Sequence, residues 1–156
     1  MIESVYTKEA VLRYGVNFEE KLDWGGPYGE AIVFYDENEE EHLFSGLTYD
    51  LFPNGEIDSY DFVLNGVRHG QQVKFYPNGN VQYINYQDMG AANGARKNFY
   101  EDGKLQAIEY RVAGQLINYK RYDRDGNIVE QKTSITEDEE RWASKFGMRI
   151  LYDDNI

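Results

Sequence analysis

The chain has 156 residues, no cysteine, two histidines and a formal charge of -12. The lack of cysteine excludes a disulfide framework and thiolate metal sites. A mean hydropathy of -0.72 and apolar runs of only a few residues, such as Ala31–Tyr35, predict no membrane-spanning helix. With 41% hydrophobic and 15% aromatic residues there is material for one core, so residues 1–156 read as a single domain.

In chain order, the Met1–Val5 start carries neither the basic nor the apolar stretch of a secretory leader, which predicts a cytoplasmic protein. Residues 1–42 read as an N-terminal segment followed by a degenerate repeat. Turn chemistry at Trp24-Gly25-Gly26-Pro27-Tyr28-Gly29 joins the two, and Phe34-Tyr35-Asp36-Glu37-Asn38 resembles a worn hairpin corner. Regular repeats fill residues 43–131. Asn54-Gly55, Asn78-Gly79, Asp102-Gly103 and Asp125-Gly126 place their glycines 24, 24 and 23 residues apart. Bulky pairs precede the first three: Leu51-Phe52, Phe75-Tyr76 and Phe99-Tyr100. An aliphatic residue follows each glycine at two positions, at Ile57, Val81, Leu105 and Ile128.

Asn-Gly and Asp-Gly corners flanked by period-two alternation predict β-hairpins with type I′ turns. A second glycine set, Gly66, Gly90 and Gly114, predicts a longer loop at the opposite end of each unit. In the third unit Ala113-Gly114-Gln115-Leu116 lacks the further glycine of its predecessors, which makes pairing near Asn118 the weakest part of the expected ladder. The aliphatic residue after each corner falls out of parity with the aromatic pair beyond it. That predicts a β-bulge, or a sheet that uses both faces. The expected fold is therefore mainly β: an antiparallel meander of stacked hairpin repeats of about 24 residues, with a short C-terminal helix. Residues 132–156 are the cap. Thr136 and Glu139 form a capping box, Trp142 and Phe146 share one side of the helix, Gly147 stops it, and Met148–Tyr152 is one more strand.

Charge is unevenly placed. Residues 1–63 hold 15 acids and 3 bases, residues 64–132 hold 7 acids and 10 bases, and residues 133–156 hold 6 acids and 3 bases. The acidic start repels nucleic acid and anionic bilayers, because phosphate recognition needs clustered Lys and Arg. It attracts a basic protein.

The pattern Tyr/Phe-x-Asn-Gly-x-Ile/Val/Leu, with following aromatics and Gly-x-x-x-Gly, resembles the variant MORN repeat of bacteria. Leu43-Phe44-Ser45-Gly46-Leu47-Thr48-Tyr49-Asp50-Leu51-Phe52-Pro53-Asn54-Gly55 is similar to a segment of the YwqK-type antitoxin and immunity family. The resemblance implies a MORN-like twisted sheet and an antitoxin that binds a cognate toxin protein. Nucleases, whose basic clefts hold phosphate, are the toxin type that a carboxylate-bearing surface would suit. The alternative is a scaffold or protein-interaction module with no toxin partner.

On this reading the partner-binding residues are the acids Asp36, Glu37, Glu39, Glu40, Glu41, Asp50, Asp58 and Asp61, with Tyr76, Tyr83 and Tyr100 on the sheet face opposite the core. Tyr offers large rigid area plus a hydroxyl. No catalytic residue is expected: His42 sits beside acids, His69 lies in a repeat loop, and no nucleophile-elbow, Walker or zincin motif is present. No metal or cofactor is expected either. Residues 36–41 alternate oxygen ligands as a calcium loop does, yet Glu41 stands where such a loop needs glycine.

Overall fold

The computed structural model describes residues 5–146. The elements are α1 (Lys8–Tyr14), β1 (Val16–Asn17), α2 (Phe18–Lys21), β2 (Asp23–Gly25), β3 (Ala31–Tyr35) and β4 (Glu41–Leu43), followed by the repeats. These are β5 (Gly46–Leu51), β6 (Ile57–Leu64), β7 (Val67–Phe75), β8 (Val81–Asp88), β9 (Ala91–Ala92), β10 (Gly94–Phe99), β11 (Leu105–Val112), β12 (Gln115–Tyr122) and β13 (Ile128–Lys132). Helix α3 (Glu137–Lys145) ends the described chain. Gly147 and the strand expected at Met148–Tyr152 lie outside the described residues. No described helix is long and apolar enough to cross a membrane.

Strands β5 to β13 form an antiparallel meander, and β1 adds a parallel strand at one edge of the resulting ten-stranded sheet. Strands β2, β3 and β4 form a separate three-stranded sheet. The worn corner is real. Its hydrogen bonds, Asp36 N to Glu40 O and Glu39 N to Asp36 O, match those of the regular corners, such as Phe52 N to Glu56 O and Gly55 N to Phe52 O. Glu39, at φ 63°, stands where those corners have glycine.

The two kinds of corner are exchanged relative to expectation. Asn54, Asn78, Asp102 and Asp125 keep negative φ, and only the glycine after each is left-handed. These corners are longer loops that end in a left-handed glycine, and the Asn54, Asn78 and Asp102 carboxyl or amide oxygens accept the backbone N–H two residues on. Type I′ geometry occurs at the other rim, where Asn65-Gly66, Met89-Gly90 and Ala113-Gly114 have positive φ at both residues. There the strands join through two residues, with Leu64 opposite Val67 and Val112 opposite Gln115. Asn suits the first position and Ala113 does not, since its Cβ crowds the following carbonyl. Ala113→Gly is expected to stabilise the protein by about 1 kcal/mol, seen as a higher urea midpoint with an unchanged slope.

The predicted bulge recurs in every unit. Register shifts follow each corner, so that Leu51 pairs Ile57 while Asp50 pairs Ser59, and Phe75 pairs Val81 while Lys74 pairs Tyr83. The extra residue returns Ile57 to the face of Tyr60 and Val81 to the face of Ile84. One row of that face then runs across the sheet as Tyr49, Tyr60, Val73, Ile84, Lys97, Ile108, Lys120 and Gln131. The ladder near Asn118 continues but is irregular there: Tyr110 pairs Asn118 while Arg111 pairs Leu116, a register shift at the place where the loop glycine is missing.

Helix α1, N-capped by Thr7, lays Val11 on this face against Leu47, Ile57, Tyr60, Val73 and Ile84. At the far end Ala143 of α3 packs on Val112 and Ile117, and Trp142 donates its indole N–H to the Val112 carbonyl at 2.9 Å. The Thr136–Glu139 capping box forms as read from the sequence. A third cluster, Leu22, Ile32, Phe44 and Val63, fastens the small sheet to the large one.

Candidate binding surfaces

Units are tied to their neighbours at both rims, and these ties decide which side chains are left for a partner. At one rim Gly66, Gly90 and Gly114 donate their N–H groups to the carbonyls of Phe44, Arg68 and Ala92, each 22 residues earlier. At the other, the Tyr76 hydroxyl donates to the Phe99 carbonyl and the Tyr100 hydroxyl to the Tyr122 carbonyl, both at 2.8 Å. Tyr76 and Tyr100 are thus half-buried cross-braces between units. Asp36 and Asp123 occupy the same place in their corners and turn inward instead. The carboxylate of each accepts two backbone N–H groups of its own loop, which holds it below the usual carboxylate range, with His42 the largest contributor at Asp36.

The eight acids do not form one patch. Glu37, Glu39 and Glu40 stand exposed at the tip of the small sheet. Glu41 is on the adjoining strand, where it accepts from the Gly26 N–H and the Tyr35 hydroxyl. Asp36, Glu40 and His42 bring one ligand-type atom each within 4.8 Å of one another. The Asp36 carboxylate in that trio already serves the turn and His42, whose ring stacks on Phe34.

Asp50, Asp58 and Asp61 lie on the large sheet, on the face away from α1. Asp58 pairs with Lys74 at 3.0 Å. Asp61 is only 5% exposed, with Arg68 Nε at 3.2 Å, and so is withdrawn from the surface. Burial pushes the Asp61 carboxyl up despite Arg68. Burial also raises Asp50, with Asp58 adding repulsion, and Asp50 makes no ion pair within 4 Å among the described residues.

A raised folded pKa means the native state holds this proton more tightly than the unfolded chain does, so the charged form opposes folding at neutral pH. Asp50→Asn is expected to raise stability at pH 7. The gain should shrink as pH falls through the raised Asp50 pKa and vanish below the ordinary Asp range, which urea unfolding at two pH values reads directly.

Tyr83 does lie on the polar face, half-buried, with the Arg96 guanidinium 4.1 Å from its ring centroid. One row of that face reads Asp50, Ser59, Lys74, Tyr83, Asn98, Ala107, Arg121 and Glu130. Toward β13 it holds a groove of about 400 Å³, lined by Arg96, Arg111, Arg121, Glu109 and Tyr100 over Ala107. The arginines were not singled out in the sequence. Their signal was the excess of bases over acids across residues 64–132. The two histidines stay at the periphery: His42 bonds Asp36, and His69 faces Asp88 at 3.3 Å between two exposed side chains.

The 22-residue ties and the recurring bulge describe a repeat whose units overlap by hydrogen bonding, and a family model of the MORN repeat variant matches residues 68–88 and 92–112. The middle of the chain carries variant MORN repeats. The chain is similar to the immunity protein YwqK of Bacillus subtilis (strain 168), with 33% identity over 69 residues. That match covers 44% of this chain and 44% of the relative, so the likeness spans less than half the length of either. The matched MORN repeats, 68–88 and 92–112, run from the start of β7 to the end of β11 and carry Tyr83, Arg96, Glu109 and Arg111 of the polar face.

Proposed function

We propose that the protein is an immunity protein that neutralises a basic toxin domain by direct, noncatalytic binding in the cytoplasm. The observation that carries this reading is the acidic small sheet, whose exposed Glu37, Glu39 and Glu40 stand at a hairpin tip beside a domain half of the same sign. The likeness to YwqK supports it. A carboxylate tip raises the encounter rate with a cationic cleft by long-range attraction, and desolvated contacts then set the lifetime of the complex. Asp50, which has no ion-pair partner within 4 Å among the described residues, extends the same field onto the large sheet, whereas Asp58 is held by Lys74. Nucleases are the toxin class whose phosphate-binding clefts fit best.

The test is titration against the toxin encoded beside this gene, with protection scored in co-expression. A stable complex and rescue are expected. Failure of both overturns the reading and leaves the scaffold alternative, which the MORN repeats also suit. Within a complex, Glu37→Gln/Glu39→Gln/Glu40→Gln is expected to slow association about tenfold at low salt while changing dissociation little. Surface-plasmon kinetics at two ionic strengths separates the two rates.

A further inference from the structure

The groove on the polar face has the opposite charge to the protein around it, and its arginines are held in fixed planes. Arg96 lies over Tyr83 and Arg121 over Tyr119, each with its guanidinium carbon 4.1 Å from the ring centroid. Stacking fixes the plane of a guanidinium and turns its N–H groups outward along the ring edge. Arg96 gives Nε to Asn98 Oδ1 at 3.2 Å, and its two terminal nitrogens meet no protein acceptor among the described residues. Arg121 gives Nη1 to Glu130 Oε2 at 2.7 Å, and its Nε and Nη2 likewise meet none. Arg111 is fully engaged: Nε and Nη2 bind Glu109 Oε2, and Nη1 binds the Gly114 carbonyl. Arg111 therefore neutralises Glu109, Glu130 holds one nitrogen of Arg121, and the open nitrogens of Arg96 and Arg121 are left to a visitor. Ala107, paired in register with Asn98 and Arg121, leaves the floor between them open.

We infer that this groove docks an acidic, extended segment of a protein partner, with Asp or Glu side chains seated on Arg96 and Arg121. A planar carboxylate matches the guanidinium fork, and Arg with Tyr is the composition of binding hot spots. An extended segment is favoured because Arg96 on β10 and Arg121 on β12 stand two strands apart, about 10 Å across the sheet, a span that successive side chains of a chain laid across the strands can reach. Val129, 65% exposed, lines the groove from β13, the last strand of the sheet among the described residues, and offers an apolar contact beside the arginines. This surface lies on a different sheet from the acidic tip, and its assignment holds whether or not the partner is a toxin.

The test is fluorescence anisotropy of a labelled, alternating Glu-Val peptide with the full chain at low salt, alongside an alternating Lys-Val peptide. Saturable binding of the Glu peptide is expected, with amide shift changes in β10–β13. Arg96→Gln/Arg121→Gln is expected to weaken it at least tenfold, the loss of two charge-assisted contacts. Arg96→Lys/Arg121→Lys, which keeps charge but loses the fork, should fall between. Glu37→Gln/Glu39→Gln/Glu40→Gln should bind the Glu peptide no less tightly than the parent. Absence of binding, equal binding after the arginine-to-glutamine change in a variant with unaltered thermal unfolding, or shifts confined to other strands would overturn the assignment.

Discussion

Gly66→Val is expected to destabilise the protein by about 3 kcal/mol, combining a β-branched residue at positive φ with overpacking. Gly66 has φ 80°, and a Cβ there would lie 3.0 Å from the Leu43 side chain and 3.2 Å from the Ile32 carbonyl oxygen. The same residue donates to the Phe44 carbonyl and accepts from the Ile32 N–H, so it is the seam between the two sheets. Gly55→Ala is the contrast. At φ 86° and with nothing within 4 Å of the added carbon, it carries the backbone term alone, about 1 kcal/mol. Urea unfolding of both variants measures the difference. Equal losses would show that the seam is not tightly packed.

Tyr60→Ala is expected to cost about 3–5 kcal/mol, the range for emptying a fully buried aromatic site. Tyr60 is wholly buried among Tyr6, Phe62 and Phe75. Its hydroxyl accepts the Tyr6 N–H at 3.1 Å and donates to Gln71 Oε1 at 2.6 Å. The ring is the seat of the N-terminal segment, so amide exchange in α1 should accelerate more than in β11 or β12. Tyr60→Phe keeps the packing and loses only the two hydrogen bonds, about 1–2 kcal/mol. Burial pushes the phenol up to about 12. Because the unfolded chain gives up this proton near pH 10 and the native state does not, stability should decline between pH 10 and 12, and Tyr60→Phe should remove that share of the decline.

The repeat was readable because its markers are backbone necessities. A left-handed glycine recurs at each corner, and the parity break after it could only be a bulge or a two-faced sheet. The turn types were assigned to the wrong rims because Asn-Gly is compatible both with type I′ geometry and with the end of a longer loop. What decides between them is how many residues separate the paired positions, and Leu51 opposite Ile57 is a property of register. The separate small sheet was also out of reach, since Ile32 and Val63 meet only through tertiary packing.

Among the proposed contact residues, the exposed tip acids were legible as a charge run. The enclosure of Asp61 and the bracing role of Tyr76 and Tyr100 were not, because each depends on an atom supplied by another strand. The basic groove was visible only as an average over 69 residues, and it took the alternation of β10, β11 and β12 to gather Arg96, Arg111 and Arg121 on one side.

The rim ties reach only from one unit to the next, while α1 rests on the strands near one end and α3 on those near the other. A whole module can therefore be inserted in the interior, between β8 and β10, without unseating either terminal helix. The span of the polar face, and with it the length of whatever lies across it, is then adjustable by recombination in steps of one module.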